Sequence, residues 1–314
     1  MSAAFNAPGA SSAAPSRAHA IAAGIRRRVL DHTLRNQGGY LSQACSSAEI
    51  LGVLYGGAMN LGAVKQPLLP RPFAGVPSAT NRGYSYGYHF NGPHGRIYDR
   101  FILSPTHYSL PLYAALIEAG RMDPAGLEAF NRDGSSLEMI GAEHSPGMEL
   151  MTGSLGQGLS QGIGVALARR MKGEPGRIWI FMSDGEFQIG MVWEAFEFMN
   201  HHKVDNIKIV VDINGQQCDG AVLSVMRLGG LSEKLTAFGA AVRSVDGHDI
   251  EALSLAFAAP HKDQPLVVLA STDPCREISE LRLNGGKLHY IRIKNQVEAA
   301  RYQAILDGME AARG

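Results

Sequence analysis

RIWIFMSDGE (residues 177–186) and IKIVVDIN (207–214) are the stretches that decide the fold of this chain. Each is an apolar run of strand length that ends at an oxygen-bearing side chain, Asp184 in the first and Asn214 in the second. The residues between them, 191–203, have helical spacing, so the sequence predicts a strand–helix–strand unit. Open parallel sheets bind ligands beyond the carboxyl ends of their strands, where both side chains are expected.

A carboxylate and an amide oxygen at such an edge suit Mg²⁺ or Ca²⁺, which take oxygen ligands and share them with a bound phosphate. The simpler interpretation is that Asp184-Gly185 and Asn214-Gly215 only form tight turns. The two stretches by themselves leave both interpretations open.

Composition limits the class of protein. The 314 residues suffice for one large domain or two small ones, and 29 basic residues balance 29 acidic ones. Because there is no net charge and no basic run, nucleic acid is not an expected partner. No stretch is apolar enough to span a membrane, so a membrane is not an expected partner either. Three irregularly spaced cysteines give no disulfide framework, which favours a cytoplasmic location.

The remaining sequence alternates between helical and strand patterns. Residues 1–16 are rich in Ala, Ser and Pro and are predicted to be a disordered tail. Helices are expected at 17–35, after a cap at Ser46 or Ser47, at 108–119, from about 125, at 249–259 and at 295–311, and further strands at 239–245 and 265–271. The alternation predicts a doubly wound α/β fold, a mostly parallel sheet flanked by helices, and residues 17–314 are expected to form a single domain.

The segment TGSLGQG (152–158) opens another predicted helix. Glycines at a helix start let a ligand approach the backbone, and the free N–H groups there attract anions. Close packing of the helix explains Gly158, Gly162 and Gly164 equally well. This segment alone does not choose between ligand binding and packing.

In their order and spacing, TGSLGQGLS, SDGE, WEA, the segment ending at Asn214 and DGHD (246–249) resemble the N-terminal, diphosphate-binding half of transketolase. The resemblance runs from about Gly38 to His289. It implies a thiamine diphosphate-binding fold, with the cofactor held through Mg²⁺ (or Ca²⁺), and transfer of a two-carbon ketol unit from a ketose to an aldose. It also implies that Asp184, Asn214 and the backbone carbonyl of Gln216 bind the metal.

The same resemblance assigns further site residues. Cofactor contacts are implied for His107, Gly153, Ser154, Leu155, Gly185, Glu186, Asn214 and His289. Catalytic roles are implied for His107, His144 and His289, because imidazoles titrate near neutral pH and exchange protons with sugar oxygens. Glu194 is similar to a glutamate of a carboxylate network near the family's dimer interface.

Three features depart from the family pattern. Tyr40 stands where the family usually has a histidine, so sugar recognition is expected to differ there. Ile189 replaces a glutamate, which removes a carboxylate from the network between paired sites. The Tyr-, Gly- and His-rich segment 83–95 is either a specialised lid or substrate loop, or only an insertion.

The resemblance covers half of the family's chain, which continues with a pyrimidine-binding domain. We therefore expect a split enzyme: this chain is the N-terminal subunit, and a C-terminal transketolase subunit carrying the pyrimidine-binding domain is its partner. Self-association into a heterotetramer and sugar or sugar-phosphate substrates are also expected.

Three other functions compete with this prediction. The first is the α subunit of a thiamine-dependent 2-oxo acid dehydrogenase, although its glycine segment differs. The second is a two-carbon transferase of specialised metabolism, which Tyr40 and the aromatic segment favour. The third is a non-catalytic cofactor-binding protein, for which the evidence is the loss of family residues at Tyr40 and Ile189.

Overall fold

In a computed structural model of the chain, the structure describes residues 13–312. The helices are α1 (Ala13–Arg35), α2 (Leu41–Val53), α3 (Ser109–Glu118), α4 (Gln157–Met171), α5 (Gly190–His201), α6 (Val222–Val225), α7 (Leu231–Ala237), α8 (Ile250–Phe257) and α9 (Gln296–Ala311). The strands are β1 (Gly38–Gly39), β2 (Arg100–Leu103), β3 (Ile178–Ser183), β4 (Ile207–Ile213), β5 (Gln216–Gln217), β6 (Gly220–Ala221), β7 (Ala241–Asp246), β8 (Leu266–Ser271) and β9 (Ile291–Arg292).

The central sheet has five parallel strands in the order β2-β3-β4-β8-β7. Helices flank it, which confirms the predicted parallel α/β architecture. Strand β2 was not predicted, because its apolar run from Phe101 to Leu103 is too short to distinguish from a loop. Two small antiparallel ladders, β1 with β9 and β5 with β6, lie outside the sheet.

Helices cover both faces of the sheet, and the strand side chains alternate between the two layers. On β3, Trp179 and Phe181 pack into the core formed with α1, α2, α3 and α8. Their neighbours Ile178, Ile180 and Met182 pack into the core formed with α4, α5 and α7. All six residues of β3 are buried, which explains why the stretch reads as a continuous apolar run.

The structure corrects two sequence-based boundaries. Helix α2 begins at Leu41, so Ser46 and Ser47 lie inside the helix and do not cap it. The helix is buried along its whole length, and the Ser47 hydroxyl donates to the carbonyl of Gln43 at 2.6 Å, one turn back. Helix α1 begins at Ala13, four residues inside the predicted tail, and residues 1–12 lie outside the described part of the chain.

The DGHD segment (246–249) is bound into a buried ion pair. Arg26 of α1 and Glu49 of α2 are 2.5 Å apart, and both side chains are almost fully buried. His248 Nδ1 lies 2.9 Å from the Glu49 carboxylate, and its Nε2 accepts from the backbone N–H of Asp273 at 2.8 Å. Because Nε2 is an acceptor, Nδ1 carries the proton and donates to Glu49. The segment therefore ties two helices to the loop after β8.

None of the helices within residues 13–312 combines the length and the apolar character that crossing a bilayer requires.

The three glycines of α4 have different surroundings. A Cβ on Gly158 would lie 3.0 Å from the Cα of Ser104, and one on Gly162 would lie 2.6 Å from Cδ1 of Ile180. A Cβ on Gly164 would meet nothing within 4 Å. Close packing of the helix on the sheet therefore requires the first two glycines but not the third.

We predict opposite effects of the same substitution at two positions of α4. Gly158→Ala lowers the free energy of unfolding by about 1 kcal/mol or more, because the added methyl overpacks against the backbone of Ser104. Gly164→Ala raises it by about 0.5–1 kcal/mol, because alanine has the higher helix propensity and no contact is disturbed. Urea unfolding of the purified chain measures both. Equal shifts in the same direction would show that the packing argument is wrong.

Candidate functional site

The predicted ligand residues Asp184 and Asn214 lie at the same edge of the central sheet. Strands β3 and β4 pair in parallel, with Ser183 opposite Asp212, so both strands end at the same level. The Oδ2 atom of Asp184 accepts from the backbone N–H of Gly215 at 2.8 Å. The turn that follows β3 is thereby joined to the turn that carries Asn214.

The other carboxylate oxygen of Asp184 has no hydrogen-bond partner among residues 13–312. Asp184 is 3% exposed, and its Oδ1 atom is buried without a hydrogen bond. Burial raises the pKa of this carboxyl to about 7. A buried acceptor that lacks a partner is costly, and a cation is the partner that would both satisfy the oxygen and favour its ionised form.

The side chain of Asn214 is oriented by its neighbours. Its Nδ2 donates to the Tyr108 hydroxyl at 2.8 Å and to the Asp212 carboxylate at 3.2 Å. Its Oδ1 accepts from the backbone N–H of Gln216 at 2.8 Å and keeps a second lone pair. The amide nitrogen is thus fully used, and the amide oxygen remains able to bind a ligand.

Within residues 13–312, no three His, Cys, Asp or Glu side chains are grouped so that they could hold a metal ion. The predicted ligand set differs from such a cluster, since it has one carboxylate and is completed by an amide oxygen and a backbone carbonyl. Next to it, the side-chain Oε1 atoms of Gln216 and Gln217 are also buried without a partner. Oxygen atoms without donors on adjacent turns are chemically suited to a hard cation.

Asp212, which the sequence analysis missed as a site residue, organises this edge. Its fully buried carboxylate accepts from Ser46 at 2.5 Å, from Tyr108 at 2.8 Å and from Thr272 at 2.5 Å, as well as from Asn214. These donors come from α2, from the turn before α3 and from the end of β8. The signal in the sequence was a single acid in the run IKIVVDI, which is apolar apart from this residue and Lys208.

Glu186 joins the glycine-rich loop to the turn after β3. Its carboxylate is fully buried and accepts from the backbone N–H groups of Gly156 and Ser183, each at 3.0 Å, and from the hydroxyl of Ser104. Both oxygens are therefore bonded by protein donors. This geometry gives Glu186 a positioning role, and its predicted contact with a cofactor stays a prediction.

The glycine-rich loop presents an open surface beside the Asp184 turn. Gly153, Ser154 and Leu155 are exposed, and the hydroxyl of Thr152 anchors the loop to the Leu103 carbonyl at 2.6 Å. Gly156 has a φ of 80° and caps α4, a conformation that favours glycine. A Cβ on Gly185 would meet only the side chain of Gln217, at 3.7 Å or more. Of the predicted contact residues, Gly153, Ser154, Leu155 and Gly185 are thus accessible to a ligand.

Two of the three predicted catalytic histidines lie together. The ring centroids of His107 and His289 are 4.9 Å apart, and Tyr40 lies 6.0 Å from the first and 5.6 Å from the second. The short ladder of β1 with β9 brings the segment of Tyr40 next to that of His289. Gln43 of α2 also donates to the His289 carbonyl at 2.9 Å. Tyr108, which follows His107, connects this cluster to Asp212 and Asn214.

Burial keeps these imidazoles neutral. It lowers the pKa of His107 to about 3, with a smaller contribution from the nearby His289. Burial also lowers the pKa of His289. At neutral pH each ring therefore has one N–H donor and one acceptor nitrogen, which suits hydrogen bonding to substrate oxygens.

His144 has different neighbours. Its ring packs against Phe73 at 4.4 Å and approaches Tyr84 at 6.3 Å, and its Nε2 is 3.2 Å from a Glu138 carboxylate oxygen without hydrogen-bond alignment. No described ring contact joins it to His107 or His289. Glu194 is exposed on α5, and none of the described hydrogen bonds or ion pairs joins it to the Asp184 turn. The catalytic role of His144 stays a prediction.

The comparison with family models identifies one domain. Residues 91–273, more than half of the chain, match the family model described as "Transketolase, thiamine diphosphate binding domain". This range contains both strands of the opening motif, the glycine-rich loop and the turns with Asp184 and Asn214.

Similar proteins carry related names. The chain is 35% identical to an uncharacterized transketolase family protein, y4mO, of Sinorhizobium fredii, over 91% of this chain and 95% of that protein. It is 35% identical to the 6-deoxy-6-sulfo-D-fructose transketolase subunit SqwG of a Clostridium species, over 55% of this chain and 64% of that protein. It is 31% identical to transketolase-like protein 2 of Homo sapiens, over 82% of this chain but only 37% of that protein.

A solved transketolase from Campylobacter jejuni shares the fold. It superposes with a TM-score of 0.65 at 20% identity, over 95% of this chain and 47% of that chain. The chain therefore spans about half the length of this enzyme and about a third of the human relative. With the matched domain and the relative aligned along almost its whole length, these findings show that the chain belongs to the transketolase family and contains its thiamine diphosphate-binding domain.

Proposed function

We propose that this chain is the N-terminal subunit of a two-component transketolase, which transfers a two-carbon ketol unit from a ketose donor to an aldose acceptor. One observation carries the proposal: the buried, unpartnered Oδ1 atom of Asp184 beside the turn of Asn214. An isolated domain has no reason to keep a carboxylate in this state, because an unsatisfied buried acceptor destabilises the fold. A cation that also holds a diphosphate would be the missing partner of this oxygen and would explain why the carboxylate is kept.

Asp184, Asn214 and the backbone carbonyl of Gln216 hold Mg²⁺, or Ca²⁺, in this proposal. The donor set supports it, since all three groups offer oxygen and one has the negative charge that attracts a hard cation. Such a cation, when bound, would compensate the buried carboxylate and offset the charge of the diphosphate. Gly185 and Asn214 lie on the two turns that flank this position.

Exposed backbone of Gly153, Ser154 and Leu155 contacts the cofactor in this proposal, with the loop held in place by Glu186. Thiamine diphosphate, when bound, supplies the nucleophilic carbon and the electron sink that ketol transfer needs. The chain supplies binding and orientation. Leu155 is 40% exposed, so it offers an apolar surface to a ring system.

His107 and His289 act on the substrate as neutral imidazoles. Their pKa values are lowered by burial, so each ring can donate one hydrogen bond and accept another at neutral pH. Their positions next to Tyr40 suit hydrogen bonding to a carbonyl oxygen and to hydroxyls of a sugar. The described ring contacts of His144 are with Phe73 and Tyr84 and not with these two histidines, so no step is assigned to it.

The partner in this proposal is a C-terminal subunit that carries the pyrimidine-binding domain. Two findings support it: the chain spans 47% of the C. jejuni transketolase, and the relative of the Clostridium species is named a transketolase subunit. Assembly of two copies of each subunit into a cytoplasmic heterotetramer belongs to the same proposal. Sugars or sugar phosphates are the substrates, and that same relative is named for a sulfonated sugar.

Asp184→Asn is predicted to weaken binding of thiamine diphosphate in the presence of Mg²⁺ by about tenfold to a hundredfold. The physical reason is that an interaction with a charged group contributes about 1.5–3 kcal/mol, most of which is lost when the carboxylate becomes a neutral amide. Isothermal titration calorimetry on the purified chain measures the affinity. The increase in melting temperature that cofactor and metal produce together should be lost as well.

Asp263→Asn is the matched control for this substitution. Asp263 has a φ of 61°, which asparagine also adopts, and it lies in an exposed loop before β8. The Asp263→Asn protein should bind the cofactor with the same affinity as the unchanged chain. The metal assignment is wrong if Asp184→Asn binds cofactor and Mg²⁺ as tightly as this control.

Ketol transfer is predicted to require both subunits. The purified chain alone should show no turnover, because half of the cofactor site is contributed by the partner. Addition of the C-terminal subunit, obtained by co-purification of the neighbouring gene product, should restore two-carbon transfer from a ketose to an aldose. Turnover by this chain alone would refute the split site.

A further inference from the structure

A pocket of about 730 Å³ lies between two segments of the chain, residues 63–71 and residues 84–93. Pockets that bind small molecules have volumes of about 300–1,000 Å³, so this one has room for an organic ligand. None of its described lining residues is among those predicted to bind the cofactor, the metal or the substrate. Apart from Gly92 and Pro93, they also precede residues 91–273, which match the family model.

The first wall of the pocket, residues 63–71, is anchored to the region after α3. The N–H of Leu68 donates to the Arg121 carbonyl at 3.0 Å, and the carbonyl of Leu68 accepts from the N–H of Asp123 at 2.9 Å. The hydroxyl of Ser136 donates to the carbonyl of Arg71 at 2.7 Å. These bonds hold the backbone of the wall in place without a ligand.

The second wall, residues 84–93, is anchored separately and is also joined to the first. The N–H of Gly87 donates to the Glu143 carbonyl at 2.7 Å. The Nη1 atom of Arg121 donates to the carbonyl of Gly62, next to the first wall, at 3.1 Å and to that of Phe90, in the second wall, at 3.4 Å. Arg121 therefore connects the two sides of the pocket.

The lining carries positive charge without a compensating acid. Lys65 and Arg71 are its charged side chains. Burial, with smaller contributions from the charges of His94 and Arg71, lowers the pKa of His89, so this third basic side chain is neutral at neutral pH. Within residues 13–312, no Asp or Glu lines the pocket, and none forms an ion pair with Lys65 or Arg71. An anionic ligand would supply the missing partner, and a guanidinium binds two oxygens of a carboxylate or a phosphate at once.

Much of the remaining lining is apolar or aromatic. It includes Val64, Leu68, Leu69, Phe90, Pro93 and the ring of Tyr84. Leu69 is 62% exposed, so water covers most of this side chain when the pocket is empty. A ligand with an apolar body gains free energy by displacing that water, whereas a small hydrated ion does not.

The pocket is separated from the predicted catalytic residue His144. A second space, of only about 10 Å³, is lined by His144 and shares Arg71, Tyr84, Ser85 and Phe90 with the pocket. A volume of about 10–15 Å³ is the minimum for one water molecule, so this space does not admit an organic ligand. A molecule in the pocket therefore does not reach His144 by this route.

From this arrangement we infer that the pocket is a second ligand site, which binds a small organic anion with an apolar body. Arg71 and Lys65 bind its carboxylate or phosphate group, and the apolar body covers Leu69 and the ring of Tyr84. The aromatic segment 83–95 is then one wall of this site. The inference goes beyond the proposed function and does not depend on it, because ketol transfer uses none of these residues.

The test is direct binding of small molecules to the full chain, measured by saturation-transfer NMR. The probes 4-phenylbutyrate and 3-phenylpropyl phosphate carry the two anionic groups on the same apolar body, and 4-phenylbutyramide is their neutral match. Acetate and inorganic phosphate have the charge without the body. Both phenyl anions should bind at least about tenfold more tightly than the amide, acetate or phosphate, because only they satisfy the cations and cover the apolar wall. The tighter of the two identifies the preferred anionic group.

Arg71→Gln should weaken binding of both phenyl anions by about tenfold and leave the amide unchanged, because the charged donor is lost. Lys65→Gln should act in the same direction. Both side chains are exposed, so neither substitution should change the melting temperature. Arg243→Gln is the matched control, since Arg243 lies on the edge strand β7 and its described hydrogen bond is to the carbonyl of Val242. It should leave all affinities unchanged.

The inference is overturned if the amide binds as tightly as the anions, if neither phenyl anion binds, or if Arg71→Gln binds them like the unchanged chain or like Arg243→Gln. The measurements are repeated with thiamine diphosphate and Mg²⁺ added. The affinities should stay the same, and displacement of the anions by the cofactor would place them in the cofactor site and also overturn the inference. Failure of this pocket leaves the calorimetric test of Asp184 unaffected, so the two proposals fail independently.

Discussion

The buried carboxylate of Asp212 is the interaction on which the site depends. A charge removed from water is tolerated only when hydrogen bonds replace its hydration, and this carboxylate accepts four of them. The donors are Ser46, Tyr108, Asn214 and Thr272, from four separate segments. Loss of the carboxylate would leave these donors without a partner at the point where the sheet edge, α2 and the turn before α3 meet. The arrangement of Asn214 and of the adjacent His107 follows from this contact.

Three buried carboxylates lie at this edge of the sheet, and they differ in one respect. Those of Asp212 and Glu186 have both oxygens bonded by protein donors. That of Asp184 is bonded through one oxygen only, to Gly215. Asp212 and Glu186 fix the surrounding turns and the glycine-rich loop, whereas Asp184 retains one carboxylate oxygen without a hydrogen bond. This difference distinguishes the two carboxylates that fix the turns from the proposed metal ligand Asp184 more clearly than burial does, because all three are buried.

Tyr40 shows how one departure from the family pattern changes a site. Its ring centroid lies 6.0 Å from that of His107, 5.6 Å from that of His289 and 5.1 Å from that of Tyr290. A phenol does not titrate near neutral pH, so a substrate contact of Tyr40 in the proposed function would rest on shape and hydrogen bonding and not on proton exchange. The aromatic segment 83–95 approaches His144 through Tyr84, and His144 in turn packs against Phe73.

The sequence by itself determined the parallel α/β fold, the strands β3, β4 and β8 and the joint position of Asp184 and Asn214, because buried parallel strands must be apolar throughout and must end at a common edge. It could not reveal strand β2, whose short run depends on pairing with β3, or the positions of Ser46 and Ser47 within α2. Only the tertiary structure decided that Asp212 and Tyr108 organise the edge, and that the ring of His289 lies beside that of His107 while no described ring contact joins His144 to either. These relations join residues far apart in the chain, and a local pattern carries no information on which distant side chains meet.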